Sequence, residues 1–197
     1  MSALRVERDD DVLRLTLARP ETRNAFDAAL IAELSEALVD VGTVRAVVLE
    51  GEGKSFCAGA DIDWMRESAE LDYEANLADA NAFRRMLEAL DTCPAPVIAL
   101  VHGHALGGGA GLVACADIVV AVPTTVFAFS EVKLGIIPAV ISPYAIRKMG
   151  ESAARRYFVT GERFDAAGAL RLGLVHELAD DLRAAEARIL TELRTAG

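Results

Sequence analysis

The chain has 197 residues, of which 53% are hydrophobic and 25% are charged, and its formal net charge is −10. This composition is typical of a globular domain with a packed core rather than of a disordered chain. The negative charge argues against a nucleic-acid-binding protein, which needs clustered lysine and arginine side chains. No apolar run approaches the ~20 residues of a membrane helix, and the charged residues 1–11 lack the apolar core of a secretion signal.

The first half of the chain alternates between strand and helix patterns. Residues 12–17 alternate apolar and polar side chains and predict a strand. Asp27 is a candidate N-cap for a helix whose apolar positions recur at helical spacing over residues 30–38. Residues 44–49 predict a second strand, and the alternation indicates a parallel sheet with helical crossovers.

The second half continues in the same way around a glycine-rich turn. Asp61 could cap a short helix, residues 71–90 predict a longer helix, and the apolar residues 97–101 predict a buried strand. The later elements are a strand at 118–122, an extended piece at 127–131, a helix that ends at Met149 with Pro143 in its first turn, a helix after Asp165, a short strand at 174–175 and an amphipathic helix at 180–193.

The turn after residues 97–101 contains five glycines between Gly103 and Gly111. With the start of the next helix, it predicts unpaired backbone N–H groups that a ligand can approach closely. Its glycine spacing does not match a dinucleotide-binding fingerprint, and it lacks the lysine of a phosphate loop and the serine of a nucleophile elbow. A tight turn that only packs closely is the alternative, and the turn alone does not decide between the two.

Four stretches in a fixed order together resemble the crotonase family, also called the enoyl-CoA hydratase/isomerase superfamily. They are residues 19–26, 56–62, 103–109 and 130–138. The resemblance covers nearly the whole chain and implies an α/β crotonase spiral of repeated strand-strand-helix units. We assign residues 1–177 to this spiral and residues 178–197 to the start of a helical C-terminal region that is shorter than is usual in the family.

The resemblance also implies a site that acts on a coenzyme A thioester. In this family two backbone N–H groups bind the thioester oxygen, and the matching positions here are Ala60 and Gly108. The matching acid–base residue is Glu131, and its apolar neighbours predict a raised carboxylate pKa. The residues expected along the substrate or coenzyme A are Arg23, Ala58, Asp61, Ile62, Gly107 and Gly111.

Gly111 is a departure from the two-glutamate hydratases, which have a second carboxylate at the matching position. Together with the sequence at 130–144, it makes the chain similar to bacterial methylglutaconyl-CoA hydratases of leucine breakdown. We therefore expect hydration of an α,β-unsaturated acyl-CoA, with 3-methylglutaconyl-CoA as one candidate substrate. The alternatives are an enoyl-CoA double-bond isomerase, which also needs only one carboxylate, and a non-catalytic acyl-CoA-binding subunit.

The resemblance implies no cofactor beyond the coenzyme A thioester substrate, and a homotrimer or hexamer. Cys57, Cys93 and Cys115 are odd in number and far apart, which fits a reduced, cytoplasmic chain without a metal site. We expect neither a membrane nor a nucleic-acid partner. His102 and His104 flank Gly103, and a structural role is the more common one for histidines at a strand end, although contact with an acidic acyl group is an alternative.

Overall fold

The computed structural model describes residues 2–196, and a six-stranded sheet lies at its centre. The first two strands form an antiparallel hairpin, and every later neighbour in the sheet is parallel. This is the parallel sheet that the alternation of strands and helices predicts. In spatial order the strands are β1 (Leu4–Asp9), β2 (Val12–Leu17), β3 (Ala46–Gly51), β4 (Val97–Val101), β6 (Ile118–Ala121) and β9 (Glu177–Leu178).

A second, smaller sheet consists of β5 (His104–Leu106), β7 (Val126–Ala128) and β8 (Phe164–Asp165). β5 pairs in parallel with β7, and β7 pairs antiparallel with β8. The chain passes from the large sheet to the small sheet and then into a helix, first through β4 and β5 and again through β6 and β7. This is the strand-strand-helix spiral that the sequence predicts.

Within residues 2–196 the chain forms eight α-helices and two 3₁₀ helices. Several of these helices begin at an aspartate whose carboxylate accepts a backbone N–H of the first turn, as predicted for Asp27, Asp61 and Asp165. The α-helices are α1 (Ala28–Val39), α2 (Ile62–Ala69), α3 (Tyr73–Asp91), α4 (Gly108–Cys115), α5 (Ser142–Met149), α6 (Glu151–Thr160), α7 (Ala166–Arg171) and α8 (Leu182–Thr195), and the 3₁₀ helices are Pro20–Thr22 and Glu131–Leu134.

The large sheet is buried on both faces, which is why β3 and β4 consist of nearly continuous apolar residues. On one face α1, α3 and α4 contribute to the main apolar cluster. On the other face the apolar side of α8 packs against Val48 and Leu100. α8 is also tied to the sheet by ion pairs that join Arg14 and Glu50 to Arg183 and Glu186. The division of the chain after residue 177 stays a prediction.

The structure differs from the sequence prediction at places where burial is weak or local bonds compete. β1 and α6 were not predicted, because β1 buries only Leu4 and α6 buries only Ala154. Residues 174–175 do not form a strand, since both of their N–H groups donate to the Ala169 carbonyl at the end of α7. The extended piece predicted at 127–131 ends early, because Glu131 begins a 3₁₀ helix.

Between residues 2 and 196 no helix combines the length and the apolar character needed to cross a membrane.

Candidate active site

The loop at residues 58–61 carries a backbone N–H group without an acceptor. An isolated bridge pairs this loop with Phe26: the Phe26 N–H donates to the Gly59 carbonyl, and the Asp61 N–H donates to the Phe26 carbonyl, each over 2.7 Å. Ala60 lies between these bonds, and its own N–H donates to no acceptor in the part of the chain that the structure describes. Because Ala60 is also solvent-exposed, this donor is available to a ligand.

The first turn of α4 supplies a second unpaired donor. Gly107 precedes the helix at φ 52° and ψ −121°, a conformation that residues with side chains rarely adopt. Its N–H donates to the Ala128 carbonyl over 2.8 Å, which fixes it to β7. The N–H of Gly108, the first residue of α4, has no acceptor among residues 2–196.

These two loops touch each other through backbone atoms. A Cβ atom at Gly59, whose φ is +97°, would lie 2.9 Å from the Leu106 carbonyl oxygen, and a Cβ atom at Gly107 would lie 3.9 Å from the Gly59 Cα. A side chain at Gly59 is therefore excluded by both conformation and space. The amides of Ala60 and Gly108, each next to one of these glycines, consequently lie on neighbouring stretches of backbone.

Glu131 brings a carboxylate to the same place. A Cβ atom at Gly107 would lie 3.2 Å from Glu131 Oε1. The other oxygen, Oε2, is buried and has no hydrogen-bond partner in the described part of the chain. Burial raises the pKa of this carboxyl group above its ordinary value, since a charged form is poorly solvated there. Glu131 therefore combines partial burial, a raised pKa and an oxygen without a partner among the described residues, and it lies against Gly107, the residue before the Gly108 amide.

Ile141 occupies the space beside Gly111. A Cβ atom at Gly111 would lie 2.4 Å from Ile141 Cγ2, closer than such atoms approach in proteins. Ile141 is almost fully buried and precedes α5. An aliphatic side chain from another element thus fills the space that any side chain at position 111 would need.

The remaining residues expected along the substrate lie on the loops around residues 23 and 58–62, and each has its own local environment. Arg23 is exposed and left-handed, with φ 55°, and its carbonyl accepts the Ala58 N–H over 3.0 Å. The Ile62 side chain is 66% exposed at the start of α2. The Asp61 carboxylate caps the same helix and is paired with Arg19.

The two histidines near Gly103 both have local partners. Ser55 Oγ and His104 Nδ1 lie 3.2 Å apart and share a hydrogen bond. Burial lowers the pKa of His104, and the positive charges of Arg163 and Arg23 lower it further. His102 Nε2 lies 3.1 Å from the Gly53 carbonyl oxygen. These contacts join both histidines to residues of the loop at 53–55.

Two residues that the sequence did not single out, Arg19 and Asn24, hold the loops of the site. Asn24 is fully buried; its Oδ1 accepts the Arg19 N–H, and its Nδ2 donates to the carbonyls of Glu52 and Ser55. Both belong to a stretch that carries the family resemblance, which was the available signal. A polar residue in a loop otherwise has no sequence feature that distinguishes a buried role from a solvated one.

The chain is similar in sequence to known proteins. The family described as "Enoyl-CoA hydratase/isomerase" matches residues 7–194 of the chain. A "Putative enoyl-CoA hydratase" of Thermus thermophilus is 38% identical over 177 residues, which cover 88% of this chain and 70% of that protein. "Enoyl-CoA hydratase ACTT6" of Alternaria alternata is 37% identical over 190 residues, which cover 93% of this chain and 62% of that protein.

The same similarity appears among solved structures. The crystal structure of an enoyl-CoA hydratase from Shewanella pealeana superposes with a TM-score of 0.95 at 45% identity, covering 98% of this chain and 74% of that chain. The chain thus spans between 62% and 74% of the lengths of these three proteins.

Proposed function

This chain is an enzyme that belongs to the enoyl-CoA hydratase/isomerase family, and from that premise we propose that it adds water to the C2–C3 double bond of an α,β-unsaturated acyl-CoA. The observation that carries the proposal is the arrangement of three groups. Two backbone amides with no acceptor in the described part of the chain lie on loops that touch each other, and one partly buried carboxylate lies against the second of these loops. The reaction needs no cofactor beyond the coenzyme A thioester itself.

The amides of Ala60 and Gly108 bind the thioester oxygen in this proposal. When water attacks C3, negative charge moves from the double bond onto that oxygen and forms an enolate. Backbone donors that are already fixed in position stabilise such charge by about 3 kcal/mol each. Support comes from the contact between the two loops and from the lack of an acceptor for either N–H group among residues 2–196.

Glu131 is the proposed acid–base residue. Its carboxylate takes a proton from water while the water oxygen forms the bond to C3. It then returns the proton to C2, the carbonyl double bond forms again, and the product is a 3-hydroxyacyl-CoA. The raised pKa of Glu131 supports this role, because an acid–base group works best when its pKa lies near the working pH.

A single carboxylate also suits the isomerase alternative. There Glu131 would move a proton between C2 and C4 of the acyl chain, and the enolate would be held by the same two amides. The packing of Ile141 beside Gly111 supports this isomerase alternative, because it leaves no space for a second carboxylate at position 111. Hydration remains the first proposal because both the curated relatives and the solved structure reported above are described as hydratases.

From the family resemblance we further propose that the substrate is 3-methylglutaconyl-CoA and that the enzyme acts in leucine breakdown or fatty acid metabolism. We propose a cytoplasmic location and a homotrimer or hexamer on the same basis. The path of coenzyme A along Arg23, Ala58, Asp61, Ile62, Gly107 and Gly111 is a proposal of the same kind.

The test uses the purified chain with thioesters that separate the three functions. Loss of the conjugated 2-enoyl absorbance with a gain of one water in mass supports hydration, whereas conversion of 3-enoyl-CoA to 2-enoyl-CoA supports isomerisation. Binding of both thioesters without turnover supports the binding subunit. Parallel assays with 3-methylglutaconyl-CoA and a neutral enoyl-CoA determine the preferred acyl group.

Glu131→Gln should lower the hydration kcat by about 10²- to 10⁴-fold with little change in thioester affinity. Glu192→Gln, at an exposed position of α8, is the matched control and should keep full activity. Full activity in Glu131→Gln would rule out the proposed mechanism.

A further inference from the structure

One arginine side chain from an earlier loop, that of Arg19, binds the residue that follows Ala60. We propose that Arg19 is a positioning residue that holds the Ala60 amide at the thioester oxygen, although Arg19 itself touches no reacting atom. The inference rests on the proposed function, because it concerns the placement of one of the two proposed oxyanion donors.

The Arg19 guanidinium binds three acceptors at once. Its Nη1 donates to the Ala25 carbonyl over 2.7 Å and lies 3.0 Å from Asp27 Oδ2, and its Nη2 donates to Asp61 Oδ2 over 3.0 Å. The side chains of Arg19 and Asp61 are only 18% and 13% exposed, so water screens this ion pair weakly. A lysine carries the same charge, but its single ammonium group cannot reproduce this fork-shaped set of contacts.

These acceptors lie on both sides of the bridge that holds Ala60. Ala25 and Asp27 flank Phe26, whose backbone bonds with Gly59 and Asp61 form one side of the bridge. Asp61 directly follows Ala60 on the other side. Arg19 therefore connects the two backbone segments of the bridge through side-chain contacts, in addition to the two main-chain hydrogen bonds.

The carboxylates of Asp27 and Asp61 each use one oxygen to cap a helix and the other to bind Arg19. Asp27 Oδ1 accepts the Leu30 N–H at the start of α1, and Asp61 Oδ1 accepts the Asp63 N–H at the start of α2. Their second oxygens face Arg19. Arg19 thus fixes the starts of two helices relative to each other, at the point where the Ala60 loop leaves the core.

Loss of these contacts should move the loop without unfolding the core. Ala60 and Ile62 are exposed, whereas Phe26 stays buried in the main apolar cluster. A displacement of about 1 Å in a group that must meet the transition state can cost ~10²-fold in rate. The effect should appear in kcat, since the donor contributes most when charge develops on the oxygen.

The experiment compares Arg19→Lys and Arg19→Met with the control Arg84→Met, which removes an exposed arginine that pairs with Glu88 on α3. We expect kcat for enoyl-CoA hydration to fall about 10- to 100-fold in both Arg19 variants, with KM within about twofold. Arg84→Met should match the wild type. The acid limb of the pH profile should stay in place in all variants, because Glu131 is unchanged.

A second readout reports on the oxyanion donors directly. A cinnamoyl-CoA with an amino donor on the ring absorbs at longer wavelength when its carbonyl oxygen accepts hydrogen bonds. We expect the wild type and Arg84→Met to give the full red shift and the Arg19 variants a reduced one. Asp61→Asn removes the charge but keeps the shape of the side chain, and it should reduce both kcat and the red shift. If the Arg19 variants do not fold, this variant tests the positioning role instead.

The outcomes separate the two proposals. If the wild type hydrates enoyl-CoA and Arg19→Lys keeps its kcat and its red shift, the positioning role is wrong and the proposed function stands. A loss of kcat with a full red shift also overturns the positioning role. If the wild type neither hydrates enoyl-CoA nor shifts the probe, the proposed function fails and the positioning role fails with it.

Discussion

The side chain of Ile141 occupies the space that any side chain at Gly111 would need: a Cβ atom at Gly111 would lie 2.4 Å from Ile141 Cγ2. Gly111 lies within α4, where its N–H donates to the Gly107 carbonyl over 3.0 Å, and Ile141 immediately precedes α5. With isoleucine at position 141, α4 and α5 can therefore approach this closely only if position 111 is glycine. A larger residue there requires a smaller one at position 141.

This relationship predicts a strong coupling between the two positions. Gly111→Ala should lower the free energy of unfolding by about 1–3 kcal/mol through overpacking, and Ile141→Ala by about 2–5 kcal/mol through loss of buried surface. The double variant should be more stable than the sum predicts, by at least about 1 kcal/mol. Urea unfolding of the four proteins measures this coupling.

The control replaces Ile141→Ala with Ile146→Ala, which truncates an isoleucine on α5 that is 40% exposed. Combined with Gly111→Ala, its effect should be additive within about 0.5 kcal/mol. Additive behaviour of the Gly111 and Ile141 variants would contradict the proposed packing.

The sequence predicts those structural features that produce a regular pattern of apolar residues, and it does not predict contacts between single residues far apart in the chain. The periodic apolar residues of α1 and the apolar run of β4 are visible because a whole helix face or strand is buried. The packing of Ile141 on Gly111 is not visible, because it joins residues far apart in the chain whose types are ordinary. The burial of Glu131 was predicted from its apolar neighbours, but its unpaired oxygen needed coordinates.

Asn24 should matter for stability far more than a loop residue normally does. Its side chain is fully buried and makes three hydrogen bonds to backbone groups of two loops, and its φ of 57° is disfavoured for residues other than glycine, asparagine and aspartate. Asn24→Ala should lower the free energy of unfolding by about 3–4 kcal/mol, which combines roughly 1 kcal/mol per hydrogen bond with the backbone strain.

Chemical denaturation of Asn24→Ala and of the control Asn76→Ala tests this prediction. Asn76 also donates two side-chain hydrogen bonds to backbone carbonyls, but these bonds are exposed to solvent. Its replacement should cost less than about 1 kcal/mol. Equal losses of unfolding free energy in the two variants would show that the burial of Asn24 does not increase its contribution to stability.

The cysteines should differ in reactivity. Cys57 and Cys115 are buried, and Cys93 is only partly buried. Burial raises the pKa of the Cys57 thiol to about 12 and also raises the pKa of Cys115 and Cys93. Because the thiolate is the reactive form, a thiol reagent at pH 8 should modify Cys93 slowly in the folded protein and all three cysteines after unfolding. In Cys93→Ser the slow phase should disappear, whereas rapid labelling of Cys57 would contradict its burial.

The buried carboxylate of Glu131 should make stability depend on pH in an unusual direction. Burial raises its pKa in the folded state, so the folded protein binds this proton more tightly than the unfolded chain does. Between the ordinary carboxyl pKa and the raised one, the free energy of unfolding contributed by this group therefore falls as the pH rises. Above the raised pKa the full cost of the buried charge is present, and below the ordinary pKa it is absent.

Glu131→Gln should consequently be more stable than the wild type at pH 7, and the difference should shrink as the pH falls from the raised pKa of Glu131 towards the ordinary glutamate pKa of about 4.3, below which it should be absent. Urea unfolding of both proteins between about pH 4 and 8 measures this, and Glu192→Gln on the exposed face of α8 should show no such pH-dependent difference. A less stable Glu131→Gln at pH 7 would mean that the carboxylate is well solvated. The same variant is expected to lose hydration activity, so a gain in stability together with that loss would indicate that the fold accepts a costly charge at this position for catalysis.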